Sequence, residues 1–333
     1  MRHGTTLAQA LAGTACTVLL ASCGATEPAF TAEQSEPAAQ VEVEDRAPDE
    51  EPDDAAAGAQ GEQDEQAAEP AAENAPAEDE AFDPSGPVVE AASDLGVTVS
   101  APEGFLETEE FAALESEISP LVEAGHSVSV RAVDLETGVG VSYNADEVRY
   151  PASAIKAAYC AYVCETYGGS AGLGQTMADC LLNSSNTSYE TLIETFKLAP
   201  FAAWLTECGA TGAGGRAYDH YYPDITANEL VAVWREIWRY GTSGEAGAEE
   251  LTGLLAQTGF SPSGDALRDE HEVWAKAGWY PADGTGYTST NDAGVVISED
   301  GAYAFAVMSD LSADLDRLVP LISALDDALD TMR

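Results

Sequence analysis

The sequence predicts an α/β fold, more narrowly α+β, in which terminal helices flank a five-stranded antiparallel sheet and an all-helical subdomain is inserted into that sheet. Apolar and polar residues alternate, as in strands, only near the two ends of the last two thirds of the chain. The stretch between them has helical periodicity. A sheet assembled from both ends around a helical insertion is the simplest architecture that buries these faces.

Residues 1–22 are predicted to be a lipoprotein signal peptide. They contain Arg2 and His3, a moderately apolar run and Leu-Ala-Ser before Cys23, an ending that resembles a bacterial lipobox. On this interpretation Cys23 carries the lipid, and the protein is extracytoplasmic and anchored to the bacterial cell membrane through that lipid only. The alternatives are an ordinary cleaved signal peptide and a short apolar helix.

Residues 23–104 are predicted to be the lipidated cysteine and a disordered acidic tether. The segment consists mainly of Ala, Glu, Asp, Pro and Gln, and Arg46 is its only basic residue. Such a composition buries too little apolar surface to offset the entropy of ordering. The alternative is an acidic arm that binds a basic partner. The net charge of the whole chain, −46, argues against a nucleic-acid-binding function.

Residues 105–333 are predicted to form the domain. Spacing predicts a surface helix over 107–124 and a hairpin whose strands, 127–135 and 139–143, flank a turn. A buried helix follows Pro151, and further helices are predicted over 173–182, 200–207, 227–240 and 245–258, with a capping box at Thr226 and Glu229. Strands around 273–277, 295–297 and 304–307 and a helix over 312–331 close the domain.

Four cysteines remain in the predicted domain, and an exported protein meets an oxidising environment. Four cysteines allow three pairings. If the helix after Pro151 packs on the segment before Ser184, Cys160 and Cys180 are the expected disulfide. Four buried free thiols are the alternative.

The helix after Pro151 carries a serine and a lysine in an otherwise apolar run. Ser153 and Lys156 are three positions apart and therefore share one helix face. Burial lowers the pKa of a lysine, and a neutral amine can take a proton from a serine hydroxyl. The start of the helix also favours negative charge that develops on Ser153. The pattern predicts an activated serine nucleophile.

Three short motifs that belong to one known set occur in order along the domain. They are Ser153-Ala-Ile-Lys156 (S-x-x-K), Ser184-Ser185-Asn186 (S-x-N) and Lys276-Ala277-Gly278 (K-[TS]-G, matched loosely). Each motif alone is weak, but all three in this order on the expected elements are specific. Residues 107–333 therefore resemble the penicillin-recognising serine enzymes, and within them the branch that is similar to class A β-lactamases, which have a β-lactamase/transpeptidase-like fold.

The resemblance implies a catalytic role for three residues. Ser153 would be the acylated nucleophile, Lys156 the base that activates it, and Ser184 the group that passes a proton to the leaving nitrogen. The resemblance also implies an oxyanion hole made by the backbone N–H groups of Ser153 and Trp279, one residue past the third motif.

The remaining matched residues would bind substrate. Asn186 would hold the substrate amide and orient Lys156, while Lys276, on the strand that continues into Gly278, would attract the substrate carboxylate and ease deprotonation of Ser184. The alternatives are a local turn residue for Asn186 and an exposed strand lysine for Lys276.

Three departures from the family pattern stand out. Ser185 replaces the Asp of S-D-N, and Ala277 lacks the hydroxyl that usually contacts the substrate carboxylate. Class A enzymes carry a Glu before the helix that here follows Thr226, and this Glu activates the deacylating water. Residues 209–224 contain no Glu, so Asp219 and His220 are the candidate substitutes, with plain surface residues as the alternative.

The sequence thus predicts an exported serine acyl-transfer hydrolase that acts on β-lactams through a covalent acyl-enzyme and deacylates slowly. The alternatives are a D-alanyl-D-alanine carboxypeptidase and a non-catalytic cell-wall-binding lipoprotein of the same fold. We expect a monomer whose partner is a β-lactam or D-alanyl peptide substrate, with no cofactor. We also expect no metal, because the four histidines show no ligand spacing.

Overall fold

The computed structural model describes residues 82–333 and contains one antiparallel sheet with helices on both faces. The predicted signal peptide, Cys23 and the tether as far as residue 81 lie outside the described residues. The strands are β1 (Val88–Ala92), β2 (Thr98–Pro102), β3 (Val128–Asp134), β4 (Gly140–Tyr143), β5 (Glu272–Ala275), β6 (Gly278–Tyr280), β7 (Ser289–Ser298) and β8 (Gly301–Ser309). Their spatial order is β1-β2-β4-β3-β8-β7-β5, and β6 also pairs with β7.

The helices form a terminal pair and a central group. The terminal pair is α1 (Glu109–Glu123) and α10 (Val319–Met332). The central group is α2 (Ile155–Tyr167), α3 (Gly174–Leu182), α4 (Asn186–Phe196), α5 (Leu198–Glu207), α6 (Thr211–Arg216), α7 (Ala227–Gly241), α8 (Ala248–Leu255) and α9 (Pro262–Leu267). No helix within residues 82–333 is both long and apolar enough to cross a membrane.

Helices on the two faces of the sheet create two apolar cores, and α9 lies on the face of the terminal pair, because it packs against α10 and contributes Leu267 to their core. The terminal helices α1 and α10 pack together on one face over Val130, Phe305 and Val307. On the other face α7 contacts β3, β7 and β8, and Trp234 is fully buried there. The predicted capping box at the start of α7 is confirmed, with Thr226 and Glu229 each accepting from the other's backbone N–H. The α+β architecture is therefore as predicted.

The strand count and the start of the domain were predicted wrongly. The sheet has eight strands rather than five, and the hairpin of β1 and β2 lies in a segment assigned to the tether. Val97, Val99 and Ala101 alternate with more exposed residues, and β2 pairs with β4. An acidic, Pro-rich neighbourhood concealed this short alternation, because a five-residue strand gains its stability from the sheet edge that it joins.

The predicted strand over 273–277 is two strands with a break at Lys276 and Ala277. Both pieces pair with β7, and the Lys276 backbone N–H donates to the Ala293 carbonyl (2.9 Å) between them. After this break, Gly278 at the beginning of β6 lies against the turn that leads into α2.

The predicted Cys160–Cys180 disulfide is absent. Helices α2 and α3 do pack together, and the two thiols are hydrogen-bonded neighbours, but all four cysteines of the described residues are free. Burial in the helical core raises the pKa of Cys160, which keeps this thiol in its neutral, less reactive form. The alternative of buried free thiols is therefore correct for Cys160, Cys164 and Cys180, whereas Cys208 is partly exposed.

The assignment of β2 to the domain can be tested by comparing a substitution at a buried position of β2 with one at an exposed position of its partner strand, β1. Val99 is 2% exposed and Val89, on β1, is 37% exposed. We expect Val99→Asp to lower the free energy of unfolding by roughly 3–5 kcal/mol, because it buries a carboxyl group without a partner. Val89→Asp should lower the free energy of unfolding by less than about 1 kcal/mol.

Urea denaturation gives the free energy of unfolding of both variants, and the m-values should equal that of the wild type. Equal, small effects would contradict the inclusion of the hairpin in the folded domain.

Candidate active site

The candidate nucleophile lies at the entrance of a helix that is buried on all sides. Pro151 leads into a 3₁₀ turn, Ala152–Ala154, and then into α2, whose first ten residues are all buried. Ser153 remains partly exposed at this end, whereas Lys156 is 0% exposed. The residue before Ser153, Ala152, has a φ of 46°, a left-handed conformation that costs free energy in a non-glycine residue.

Because water cannot reach Lys156, its amine takes partners from the loop between α3 and α4. The Nζ atom donates to the Ser184 carbonyl (2.6 Å) and to Asn186 Oδ1 (2.7 Å). It also lies 5.7 Å from the centre of the Tyr189 ring. Burial nevertheless dominates and lowers the pKa of Lys156 from 10.5 to about 8. A sizeable neutral fraction near pH 7–8 is what a general base requires.

The second motif forms a strained corner before α4. Ser184 has a φ of 53°, and it is one of six non-glycine residues with positive φ among the described residues. Ser185, which stands where the family pattern has Asp, caps α4 by accepting from the Ser188 backbone N–H (3.2 Å). Asn186 is the first residue of the helix and is exposed. The cap fixes the corner, so Ser184 and Asn186 point to the same cleft as Lys156.

The third motif brings a second buried cation to the same corner. Lys276 is 1% exposed, and its Nζ donates to Ser184 Oγ (3.1 Å) and to the Ala277 carbonyl (2.8 Å). Burial and the positive charge of Lys156 lower the pKa of Lys276 to about 8. The Ser184 hydroxyl thus accepts from Lys276, and the Ser184 carbonyl accepts from Lys156. The alternative interpretation of Lys276 as an exposed strand lysine does not apply.

Gly278 brings the sheet against the serine turn. A Cβ atom at this position would lie 2.3 Å from both the Ala154 nitrogen and the Pro151 oxygen, and 2.6 Å from the Ser153 nitrogen. Only a residue without a side chain allows this approach. It places the Ser153 backbone beside the strand that carries Trp279, the two positions from which the oxyanion hole is expected.

The segment before α7 does not place Asp219 or His220, the two candidate substitutes for the glutamate, in contact with the motif residues. Asp219 and His220 pair with each other (3.6 Å) on the surface, with side chains 80% and 67% exposed. His220 lines a neighbouring cavity, and Asp219 does not. Neither of them forms a hydrogen bond to the serine, the lysines or Asn186 within the described residues.

Tyr222 is the residue of this segment that reaches the cleft, and the sequence reasoning missed it. Its hydroxyl donates to Asn186 Oδ1 (3.2 Å), the atom that also accepts from Lys156. Burial raises the pKa of Tyr222 above its usual value, so the phenol stays protonated. The aromatic run from Tyr218 to Tyr222 was the available signal.

About half of the chain matches the model of a known protein family. The model of the β-lactamase enzyme family matches residues 165–330, which include the second and third motifs. The chain belongs to the β-lactamase enzyme family. The match begins after Ser153 and Lys156, so the placement of these two rests on the structure. No curated protein matches the sequence.

Solved β-lactamases share the fold at low sequence identity. The TLA-3 extended-spectrum β-lactamase is 14% identical, with a TM-score of 0.55 over 67% of this chain and 100% of its own. A variant of the reconstructed last common ancestor of Gram-negative class A β-lactamases is 19% identical (TM-score 0.54; 66% and 98%). The β-lactamase from Streptosporangium roseum is 16% identical (TM-score 0.53; 66% and 99%). At these identities the likeness concerns the fold alone.

The contact at Gly278 provides a test of the site geometry. Gly278→Ala must separate the strand from the serine turn, because its Cβ would overlap backbone atoms at 2.3 Å. We expect acylation by a penicillin to slow by about 100-fold, the effect of displacing reacting groups by about 1 Å. Intact-mass spectrometry over time measures the rate.

Gly253→Ala is the matched control, since this helical glycine has open space around it. An unchanged rate in Gly278→Ala would show that the approach of the strand is not required.

Proposed function

We propose that this protein is an exported serine hydrolase that opens β-lactams through an acyl-enzyme on Ser153 and releases the acyl group slowly. The observation that supports this most directly is the arrangement of Ser184 between two buried lysines beside the serine turn. The family model and the shared fold support the reaction class. Export and lipid attachment at Cys23 rest on the pattern of residues 1–23 alone.

The proposed acylation assigns one step to each of these groups. Neutral Lys156 takes the proton of Ser153 Oγ, which attacks the carbonyl carbon and forms a tetrahedral intermediate, and the C–N bond of the lactam breaks when this intermediate collapses. The backbone N–H groups of Ser153 and Trp279 hold the oxyanion. Ser184 gives its proton to the leaving nitrogen, and the Lys276 ammonium, 3.1 Å from Ser184 Oγ, stabilises the negative charge that develops there. The proton that Lys156 took from Ser153 then returns to Ser184, so that both groups end the step in their starting protonation states.

Slow deacylation is supported by the residue that contacts Asn186. Hydrolysis of an acyl-enzyme needs a group that takes a proton from water, and the resemblance assigns that work to a glutamate. Here the segment presents Tyr222, whose raised pKa keeps it a hydrogen-bond donor. A neutral phenol cannot accept that proton near pH 7, so the ester should persist.

The same observation favours a second candidate, a D-alanyl-D-alanine carboxypeptidase. An enzyme that turns over a peptide substrate while a β-lactam holds it as an ester has the behaviour expected of a penicillin-binding enzyme. Acylation of Ser153 would proceed through the same groups, and the two candidates differ in which substrate is released.

The proposal predicts a lasting adduct. After incubation with benzylpenicillin, intact-mass spectrometry of the protein should show one added penicilloyl mass that survives removal of free penicillin for many minutes, and Ser153→Ala should show none. Rapid loss of penicillin without an adduct would contradict slow deacylation but not the nucleophile. Absence of both adduct and turnover would contradict the proposed β-lactam chemistry.

The two buried lysines predict a bell-shaped pH profile. Each has a pKa of about 8 instead of 10.5, so Lys156 becomes a competent base as the pH rises toward 8, and Lys276 loses its charge as the pH rises beyond 8. We expect the acylation rate constant to rise about tenfold per unit below pH 7 and to fall above pH 9.

Lys276→Arg separates the two limbs, because an arginine stays charged and should remove the falling limb only. A flat profile between pH 6 and 9 in the wild type would contradict the assignment of Lys156 as the base.

A further inference from the structure

A cavity of about 550 Å³ adjoins the candidate active site, and tyrosines form most of its wall. It lies between the segment before α7 and the loop between β6 and β7. Its lining residues are Tyr150, Tyr221, Tyr222, Tyr280 and Tyr287, with Arg216, His220, Asp224 and Thr285.

The tyrosine rings surround Tyr150 without covering one another. The ring centre of Tyr150 lies 6.2 Å from that of Tyr222, 6.0 Å from that of Tyr280 and 5.1 Å from that of Tyr287. The planes are inclined by 57°, 88° and 48°, so no pair is stacked face to face. Ring faces and edges therefore remain available to an aromatic group of a ligand, which could pack against them edge-to-face or offset-stacked at similar distances.

Three of these tyrosines connect the cavity to the candidate active site, one at the serine turn, one on β6 and one at Asn186. Tyr150 precedes the turn that carries Ser153, and its carbonyl accepts from Asn291 Nδ2 (3.1 Å) on β7. Tyr280 follows Trp279 on β6. Tyr222 is hydrogen-bonded to Asn186. The wall of the cavity therefore joins the candidate active site at the serine turn, at the strand of Trp279 and, through a hydrogen bond, at Asn186.

The charges around the cavity indicate a neutral guest. The Arg216 guanidinium donates to the backbone carbonyl of Asp224 (2.7 Å). Both residues line the wall, which therefore carries one cation and one carboxylate of opposite charge. Burial raises the pKa of Tyr150 to about 12, so its phenol is uncharged near pH 7. His220 is largely exposed at the rim. Aromatic surface, rather than charge, dominates the interior.

We propose that the tyrosine cavity binds an aromatic side chain on the acyl half of the substrate. The enzyme then selects arylacetyl substrates over substrates with a small aliphatic acyl group, and Tyr287 is a specificity-determining residue. This inference rests on the proposed function, because it assigns the acyl group that reaches Ser153.

The test compares two penicillins that differ only in the acyl side chain, phenylacetyl against acetyl, on the full chain. Intact-mass spectrometry gives the second-order rate constant for acylation of Ser153 by each. We expect the wild type to prefer the phenylacetyl compound by at least tenfold. Tyr287→Ala should lower this ratio at least threefold, and Tyr287→Phe, which keeps the ring, should restore it.

The ratio separates recognition from a structural defect, since a misplaced nucleophile slows both compounds equally. Tyr218→Ala is the matched control, because Tyr218 is an exposed tyrosine (59%), like Tyr287 (54%), and does not line the cavity. Its ratio should equal that of the wild type.

The possible failures are distinguishable. A wild-type ratio near one, or a ratio that Tyr287→Ala leaves unchanged, would overturn the assignment of the cavity while acylation itself stands. Failure of both compounds to label Ser153 would contradict the proposed function, and with it this inference.

Discussion

The architecture of the site depends on one buried charge. Lys156 lies inside a helix whose first ten residues are all buried, so its amine must find acceptors within the protein. A hydrogen bond to a charged group contributes about 1.5–3 kcal/mol, and Lys156 has two, to the Ser184 carbonyl and to Asn186 Oδ1. These bonds fix the loop between α3 and α4 over the helix. The same burial lowers the pKa of Lys156, so the constraint that organises the loop also gives the amine the neutral fraction that the proposed base needs.

The sheet contributes to the site through two close contacts. Lys276 reaches Ser184 Oγ from the break between β5 and β6, and Gly278 touches the serine turn two residues later. The reactive groups thus come from α2, from the corner before α4 and from β6, and each layer fixes the next. Positive φ angles at Ala152 and Ser184 show that local backbone preference is overridden at two of these junctions.

The proposed slow release of the acyl group depends on the segment before α7. This segment contains no Glu and places a protonated phenol, that of Tyr222, on Asn186, and four further tyrosines line the adjoining cavity. A β-lactamase fold therefore does not by itself specify rapid hydrolysis. The outcome depends on which side chain faces the water that must attack the ester.

The sequence by itself determined the α+β architecture, the capping box of α7 and the three motifs, because these depend on periodicity and on spacing along the chain. Only the tertiary structure decided what depends on distant partners. The strand at Val99 forms because β4 offers it a sheet edge, and Tyr222 contacts Asn186 because Tyr189 and Tyr150 pack against its ring. Cys160 and Cys180 were correctly placed together, yet adjacency in a dry core did not require a bond between them.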